Sequence, residues 1–300
     1  MRIAFLGFGL IAGSIARAIH AAPGAPLPNA SLIAWSPSGN GPLAAVDEGV
    51  LDEAAAHPAS AVADADLVIL AGPPLVCLEL VDRLAGDLAS VLRSDTVVSD
   101  VASTKMAIVE RAGRHGLRFV GGHPMAGREQ TGYAASTPDL FRERPWIVVP
   151  ADGTDVEATQ LVEKLALACG GRPVQMSAME HDSAVAAISH LPLLVAAALV
   201  ESVATSGRPG DRDWDLARSL AASGWRDTTR LARGDPEMGA GIVATNANAL
   251  LQRLRDFHGV LGDWLEEVER LAEADDAAAA DVDIIRRRFQ AARDRLGEDG

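Results

Sequence analysis

The chain has 300 residues, of which 48% are hydrophobic and 23% are charged, a composition typical of a globular protein with one large or two ordinary domains. The same composition excludes a largely disordered chain and a small disulfide scaffold. Basic residues number 27 against 41 acidic residues, which gives a formal net charge of −14. So acidic a surface repels phosphate backbones, and we therefore expect no nucleic-acid partner.

The cysteine content and the apolar runs bear on where the protein acts. Cys77 and Cys169 are the two cysteines and show no CxxC spacing, which favours a reducing compartment. A strand pattern begins almost at Met1, so we expect no signal peptide. The longest apolar run, 184–200, is shorter than the ~20 residues that cross a bilayer and is interpreted as a buried core helix. The protein is expected to be cytoplasmic, without a membrane partner.

The first half of the chain alternates short apolar runs with helical stretches. The apolar runs are continuous rather than alternating, which indicates strands covered on both faces. This order predicts an α/β fold with a Rossmann-like, doubly wound and mostly parallel sheet. The predicted strands are 2–6, 32–35, 67–71, 96–99, 118–120, 146–149 and 172–176, and the predicted helices are 10–20, 74–89, 105–112 and 156–169.

The second half has almost no strand pattern and is rich in alanine and leucine. We predict a dinucleotide-binding domain over 1–176 and an all-α substrate and dimerisation domain over 177–300, which ends in a helix within 275–300. An apolar seam follows steps of four and three along one helix. It could face neighbouring helices of the same chain or a second copy in a homodimer. The seam comprises Leu250, Leu254, Phe257, Leu261, Trp264, Val268 and Leu271.

A glycine motif follows the first predicted strand and opens the first predicted helix. Its sequence over 7–14 is GFGLIAGS, which matches the GxGxxG/A dinucleotide fingerprint. Gly7 permits the tight turn, Gly9 lets the backbone approach a pyrophosphate, and Ala12 or Gly13 keeps the helix close to the strand. The free N–H groups of the helix N-terminus then bind the phosphates. The predicted cofactor-binding residues are Gly7, Gly9, Leu10, Ile11, Ala12, Ser36, Ala71, Pro73 and Ser103.

The end of the second predicted strand bears on the choice between NAD and NADP. An acidic residue at this point would bind the ribose 2′-hydroxyl of NAD, and Ser36 stands there instead. No arginine follows at once to bind the 2′-phosphate of NADP. The cofactor is therefore NAD or NADP, with NAD slightly preferred.

Three further segments carry polar residues close to where a ligand of an open α/β sheet would lie. They are DVASTK at 100–105, GGHPMAGRE at 121–129 and GWRDTTRLA at 224–232. Together with the glycine motif and HDSAVAAISHLP at 181–192, they are collinear and resemble the prephenate/arogenate dehydrogenase family of tyrosine biosynthesis.

The resemblance implies a nucleotide-binding domain joined to a helical dimerisation domain. It also implies the NAD(P)-dependent oxidation of a 4-hydroxycyclohexadiene acid with loss of CO2. The expected enzyme is a prephenate dehydrogenase that forms 4-hydroxyphenylpyruvate, with an arogenate or dual cyclohexadienyl dehydrogenase as the alternative.

The resemblance also assigns catalytic roles. His123 matches the family's catalytic histidine, and a neutral imidazole suits removal of a hydroxyl proton at neutral pH. Ser103 matches the serine that hydrogen-bonds the reacting hydroxyl, although it could instead cap a helix that starts near Thr104. Lys105 is expected to form a structural ion pair rather than to contact substrate.

Five residues form the predicted substrate-binding set. Arg230 resembles the arginine that binds a substrate carboxylate, and Arg226 lies four residues earlier on the same helical face. Both could pair with nearby acidic residues instead. Arg128 would add positive charge that favours the dianionic prephenate, and Glu129 could bind a substrate amino group. His190 would face the cleft from the helical domain, or could be a buried core histidine.

Two other classes of protein share parts of this pattern. A β-hydroxyacid or imine-type dehydrogenase has the same domain order but typically relies on a lysine or aspartate in the helical domain, and 177–200 contains no lysine. A nucleotide-binding sensor would need no general base. Histidines and carboxylates are too scattered to predict a metal site.

Overall fold

The computed structural model describes residues 1–21, 26–27, 29–128, 130–151, 153–204, 212–274 and 281–297. The chain divides into two compact units, residues 1–250 and 251–300. All the candidate site residues belong to the first unit.

An eight-stranded sheet forms the centre of the first unit, in the order β3-β2-β1-β4-β5-β6-β7-β8. Every neighbouring pair is parallel except β6 and β7, so the predicted mostly parallel, Rossmann-like sheet is confirmed. The strands are β1 Arg2–Leu6, β2 Ser31–Trp35, β3 Glu53–Ala54, β4 Leu67–Leu70, β5 Val97–Asp100, β6 Phe119–Pro124, β7 Pro145–Pro150 and β8 Arg172–Gln175.

Six of the helices in the described part of the chain cover the two faces of the sheet. They are α1 Leu10–Ala21, α2 Asn40–Asp47, α3 Pro58–Val62, α4 Pro74–Ala85, α5 Met106–Arg114 and α6 Val156–Ala168. Alternate side chains of β1 enter different cores, which explains its unbroken apolar sequence. Ile3 and Phe5 pack with residues of α1 and α6, whereas Ala4 and Leu6 pack with residues of α4 and α5. The sequence pattern missed β3, α2 and α3, because elements of two to eight residues show too little periodicity.

The remaining described chain is helical. Its helices are α7 Ala178–Val185, α8 Leu191–Ala204, α9 Arg212–Ser219, α10 Ser223–Thr229, α11 Pro236–Thr245, α12 Ala247–Ala272 and α13 Asp283–Leu296. A π-helical turn, Ala186–His190, joins α7 to α8, and a 3₁₀ turn, Arg230–Arg233, follows α10. The predicted domain boundary at 176/177 lies between β8 and α7. The first compact unit nevertheless continues to Leu250, because α7 packs against α5 and α11 packs against α4.

The expectation of a buried core helix over 184–200 is wrong for α8. This helix buries only Ala196, because one face packs on α10 and the 3₁₀ turn while the other side chains remain partly or fully exposed. The continuous stretch Ala178–Ala204 is also longer than the apolar run, and by length and mean hydropathy of 2.0 it could cross a membrane. It contains buried His181, Asp182 and His190, whose hydrogen bonds reach other parts of the protein.

The second unit contains most of the predicted apolar seam. One 26-residue helix, α12, carries the seam, and α13 is the predicted final helix. Trp264 packs against Phe289 of α13 at 5.1 Å, with the Arg288 guanidinium over its ring. Leu254 and Leu261 remain exposed. The seam therefore meets a neighbouring helix of the same chain only in part.

Candidate active site

A cleft of about 360 Å³ opens where β1, β4, β5 and β6 end. Residues of the glycine loop, of the loops after β4 and β5, and of the end of β6 and the loop after it line the cleft. Gly234, Asp235 and Met238 close the cleft at the start of α11. Strand order reverses between β1 and β4, and a ligand of an open α/β sheet binds at such a switch point.

The glycines of the loop have distinct physical roles. Gly7 has a φ of 91°, and a Cβ there would lie 2.5 Å from the Ala71 carbonyl oxygen, so another residue would disrupt the turn. A Cβ on Gly9 would meet no atom within 4 Å, which leaves its backbone open to the cleft. A Cβ on Gly13 would lie 2.7 Å from Tyr133. The close approach at Gly13 is therefore to the 3₁₀ turn Tyr133–Ala135 rather than to β1.

The predicted cofactor-binding residues divide into two groups. Those that line the cleft are Gly9, Leu10, Ile11, Ala71, Pro73 and Ser103. Gly7 and Ala12 instead shape the loop beneath, and Ser36 lies outside the cleft at the end of β2. The Ser36 hydroxyl is buried and has no hydrogen-bond partner among the described residues. A partnerless hydroxyl and an open backbone at Gly9 fit the ribose and pyrophosphate of a dinucleotide.

Tyr133 supports the glycine loop from behind, a role that the sequence did not indicate. Its ring stacks on Phe8 at 5.4 Å, and the Arg17 guanidinium lies over the ring at 4.5 Å. The Tyr133 hydroxyl donates to Glu48, which also pairs with Arg17 at 2.7 Å. These contacts, with the Tyr133 hydrogen bond foremost, lower the pKa of Glu48.

An ion pair between Asp100 and Lys105 lies beneath the loop after β5. Both side chains are fully buried, and the Asp100 carboxylate also accepts from the backbone N–H groups of Ala102 at 3.0 Å and Gly122 at 3.2 Å. The predicted structural ion pair of Lys105 is confirmed. It fixes the loop that carries Ser103 against β6, which carries His123.

Ser103 lines the cleft but does not cap a helix. Helix α5 begins at Met106, and its first N–H groups, those of Lys105 and Met106, donate to the Asp182 carboxylate at 2.8 and 2.9 Å. The alternative role of Ser103 as a helix cap is therefore wrong, because a carboxylate from α7 makes the cap.

His123 lies near the end of β6 and lines the cleft. Its Nδ1 is 2.8 Å from Nε2 of His181, whose Nδ1 is 2.7 Å from the Asp182 carboxylate. Burial above all, and then the charges of His181, Lys105 and His190, hold the pKa of His123 well below its usual value. His123 is therefore neutral at neutral pH and can accept a proton.

The sequence analysis assigned no role to His181 and Asp182, although both lie in the segment 181–192 that resembles the family. A histidine and an aspartate that directly precede a long apolar helical run were the available signal.

His190 was predicted to face the cleft, but in the structure it is buried and does not line the cleft. Its Nδ1 is 3.1 Å from the Asn246 amide, and burial lowers its pKa to about 4. The expected cleft-facing position of His190 is wrong.

The arginines predicted to bind substrate are separated. Arg128 lines the cleft, whereas Arg226 on α10 and Arg230 on the following 3₁₀ turn are exposed and do not line it. The 3₁₀ turn that carries Arg230 packs against α8, and α11 supplies the cleft wall instead. Glu129 lies outside the described residues.

Positive charge gathers beside Arg128. Among the described residues, Arg128, Arg142 and Arg144 line a neighbouring cavity of about 410 Å³ together with Asp139, which pairs with Arg142 at 2.8 Å. An anion at this side of the cleft would meet a local positive field in a protein of net charge −14. Within the described parts of the chain, no group of three or more His, Cys, Asp or Glu side chains is arranged to hold a metal ion.

A glycine loop at the switch point is typical of a dinucleotide-binding protein, and an imidazole in the same cleft can serve as the base of a dehydrogenase. Residues 26–175 match the family model described as "Prephenate dehydrogenase, nucleotide-binding domain", and residues 177–279 match "Prephenate dehydrogenase, dimerization domain". The chain belongs to the prephenate dehydrogenase family. The family and the fold class predicted from the sequence are therefore confirmed.

Relatives cover nearly the whole chain. The prephenate dehydrogenase of Bacillus subtilis is 33% identical over 295 residues, which are 97% of this chain and 74% of the relative. The cyclohexadienyl dehydrogenase of Zymomonas mobilis is 31% identical over 96% of this chain and 92% of its own length.

Two solved structures show the same fold over almost the full length. The prephenate dehydrogenase of A. aeolicus, solved with hydroxyphenyl propionate and NAD+, has a TM-score of 0.82 and 26% identity, and the match covers 99% of this chain and 98% of that one. The arogenate dehydrogenase of Synechocystis has a TM-score of 0.74 and 30% identity, with 99% of this chain and 100% of that chain covered.

Proposed function

We propose that this protein catalyses the NAD(P)-dependent oxidative decarboxylation of prephenate to 4-hydroxyphenylpyruvate. The observation that carries the proposal is the neutral imidazole of His123, which opens into the same cleft as the glycine loop. Relatives named for prephenate, arogenate and cyclohexadienyl substrates support this class of reaction.

The chemistry divides between proton transfer and orientation. His123 accepts the proton of the 4-hydroxyl group, and Ser103, in the same cleft, hydrogen-bonds that hydroxyl. The bound nicotinamide cofactor supplies the acceptor for the hydride that leaves the same ring carbon. The bond to the ring carboxylate then breaks, CO2 leaves, and the electron pair completes the aromatic ring and moves onto the 4-oxygen, which takes back the proton from His123. The bond cleavage itself needs no acid or base, so for that step the protein has only to hold the ring in place.

Positive charge beside the cleft supports prephenate over arogenate. Arg128, with Arg144 in the neighbouring cavity, offers a more favourable field to a dianion than to a substrate that also carries an ammonium group. We expect a higher kcat/KM for prephenate in a side-by-side assay. Faster turnover of arogenate would assign the protein to the alternative activity.

The end of β2 supports NAD as the preferred cofactor. Residues 36–41 contain no cationic side chain for a 2′-phosphate, while the Ser36 hydroxyl can exchange a hydrogen bond with a ribose. Assays with both cofactors at equal concentration test this preference, which a higher kcat/KM with NADP+ would overturn.

His123→Asn is the direct test of the proposed mechanism. The variant keeps a polar side chain of similar reach but cannot act as the base, so kcat should fall by about a hundredfold or more. Calorimetric titration with NAD+ serves as the control and should give an unchanged Kd. Undiminished turnover of prephenate by this variant would remove His123 from the mechanism.

We also infer that the protein acts in the cytoplasm as a homodimer. The match of 177–279 to a dimerization domain and the exposed apolar side chains of α8 and α12 support the dimer. Two buried cysteines that form no disulfide are compatible with a reducing compartment.

A further inference from the structure

A chain of hydrogen bonds leads from the cleft into the helical layer. It runs from His123 through His181 to the Asp182 carboxylate, with heavy-atom distances of 2.8 and 2.7 Å. His181 and Asp182 are buried, at 1% and 4% exposure, and only His123 reaches the cleft. Buried polar groups at such distances hold one another in fixed positions.

The donor and the acceptor of each hydrogen bond in this network can be assigned by starting from the Asp182 carboxylate. The Asp182 carboxylate accepts from the backbone N–H groups of Lys105 and Met106, which can only donate. His181 must therefore donate to Asp182 from Nδ1, and the Nε2 of neutral His181 is an acceptor. His123 must then donate from Nδ1, which leaves the lone pair on its Nε2 free to face the cleft.

We infer that His181 and Asp182 are positioning residues for His123, which hold it in the Nδ1–H tautomer, and that His181 accepts the Nδ1 proton of His123 when Nε2 is protonated during turnover. The inference rests on the proposed function, since it names the partners of the base in that reaction.

The proton balance of the step is simple. The substrate O–H bond breaks and an N–H bond forms at Nε2 of His123, while the Nδ1 proton of His123 moves to Nε2 of His181. His123 is again neutral, and the positive charge lies on His181, 2.7 Å from the Asp182 carboxylate. When the ring becomes aromatic, the reverse shift returns a proton from Nε2 of His181 to Nδ1 of His123, and Nε2 of His123 gives its proton to the phenolate oxygen of the product. The product then leaves with its hydroxyl group, and no net proton is released.

The surroundings of the two histidines favour this distribution of charge. Burial lowers the pKa of His123, and the charges of Lys105 and His190 act in the same direction, so a cation on His123 is unfavourable. A cation on His181 lies against a carboxylate instead. The Lys105 ammonium does not compete for Asp182, because it pairs with Asp100.

The backbone around Asp182 is fixed from two sides. Its carboxylate caps α5, and its carbonyl oxygen accepts from the Asn246 side chain at 2.9 Å. These contacts join α5, α7 and the segment after α11 at one point. His181 and Asp182, which we call the dyad, can therefore hold the His123 ring in one orientation.

The tautomer of His123 can be measured without substrate or cofactor. We propose ¹⁵N NMR of the full-length protein labelled on histidine, with the His123 signals assigned by their absence in His123→Asn. The wild-type protein should show a protonated Nδ1 and an unprotonated Nε2 on His123. In His181→Phe this preference should be lost, and kcat should fall by about tenfold or more with the KM for prephenate within about threefold of wild type.

Two further variants separate positioning from general damage. His181→Gln keeps an acceptor near the position of Nε2 but cannot take up a proton, so it should restore the tautomer and only part of kcat. Thr245→Val is the matched control, because it removes a 2.7 Å hydrogen bond from α11 to Thr104 in the loop after β5 and keeps both His181 and Asp182. Thr245→Val should leave both the tautomer and kcat unchanged.

The outcomes are distinct for the two proposals. A protonated Nε2 on His123 in the wild-type protein, or an unchanged tautomer in His181→Phe, overturns the role of the dyad whatever the turnover. A wild-type protein with the expected tautomer but no turnover of prephenate or arogenate with either cofactor overturns the proposed function and leaves the tautomer assignment standing. If His181→Phe does not fold, His181→Gln and the wild-type spectrum decide, and full kcat in His181→Gln overturns the proton transfer.

Discussion

Buried polar side chains organise the cleft more than surface charges do. Asp100 binds one ammonium and two backbone N–H groups, and Asp182 caps one helix and orients one histidine. Each carboxylate joins segments far apart in the chain. Removing one partner of such a group leaves an unpaired buried charge, which is costly in free energy.

Lys105→Met tests the ion pair with Asp100. The variant leaves the fully buried carboxylate without its counter-charge, and we expect a loss of about 3–5 kcal/mol in the free energy of unfolding. Urea unfolding measures the loss. The double variant Lys105→Met with Asp100→Asn should be less destabilised than the sum of the single variants. Strict additivity would show that the two residues do not interact.

His190 makes stability depend on pH. Burial lowers its folded-state pKa to about 4 from 6.5, so the unfolded chain binds a proton first as the pH falls. His190 therefore lowers the free energy of unfolding only as the pH falls below about 6.5, and the loss reaches about 2 kcal/mol at pH 5.

Denaturant unfolding at pH 7.5 and pH 5 measures this loss. In His190→Gln the titrating group is gone while an acceptor for Asn246 remains, so the pH-dependent loss should be smaller. An equal loss in the variant would contradict the assignment to His190.

At the scale of elements, glycines set the distance between neighbouring elements of the nucleotide site. Gly13 brings α1 against the 3₁₀ turn Tyr133–Ala135, and Gly41 brings α2 against the Phe8 carbonyl oxygen, where a Cβ would lie 2.6 Å away. The glycine loop is therefore positioned by close backbone packing, which a methyl group would disturb.

Gly13→Ala should destabilise the protein by about 1–3 kcal/mol, although alanine favours a helix over glycine. The physical reason is overpacking, since the added Cβ would meet Tyr133 at 2.7 Å and Ser136 at 2.9 Å. Gly113→Ala in α5 is the matched control, because its Cβ would meet no atom within 4 Å. Thermal unfolding should show a lower Tm for the first variant and an unchanged or higher Tm for the second.

At the scale of the whole molecule, exposed apolar side chains on two helices point to self-association. Val203 of α8 and Leu261, Leu265 and Val268 of α12 are all more than 40% exposed. Side chains of this kind are typical of a surface that a second copy covers.

Light scattering should give a mass of twice the 31.3 kDa of the chain. Leu261→Glu places a charge on α12 and should shift the mass towards the monomer. The matched control is Leu167→Glu on α6, since Leu167 is 51% exposed and Leu261 is 53% exposed. A monomeric wild-type protein would contradict the proposed dimer, and dissociation by both variants would show that the effect is not specific to α12.

The sequence by itself determined the parallel sheet, the glycine loop, the long helix α12 and the residues His123 and Ser103 as cleft residues. Each of these depends on neighbours in the chain: a run of apolar residues, a turn that needs glycine, a helical period or a motif at a strand end. Such local patterns can be recognised from the order of residues alone.

Only the tertiary structure decided how distant segments meet. In the structure, His123 is hydrogen-bonded to His181, which in turn contacts Asp182, and Tyr133 packs against the glycine loop. His190 does not line the cleft, and Arg226 and Arg230 are exposed. These contacts link residues tens of positions apart or more. They follow from how whole helices pack on the sheet, and that packing leaves no periodic trace in the sequence around any one of the residues.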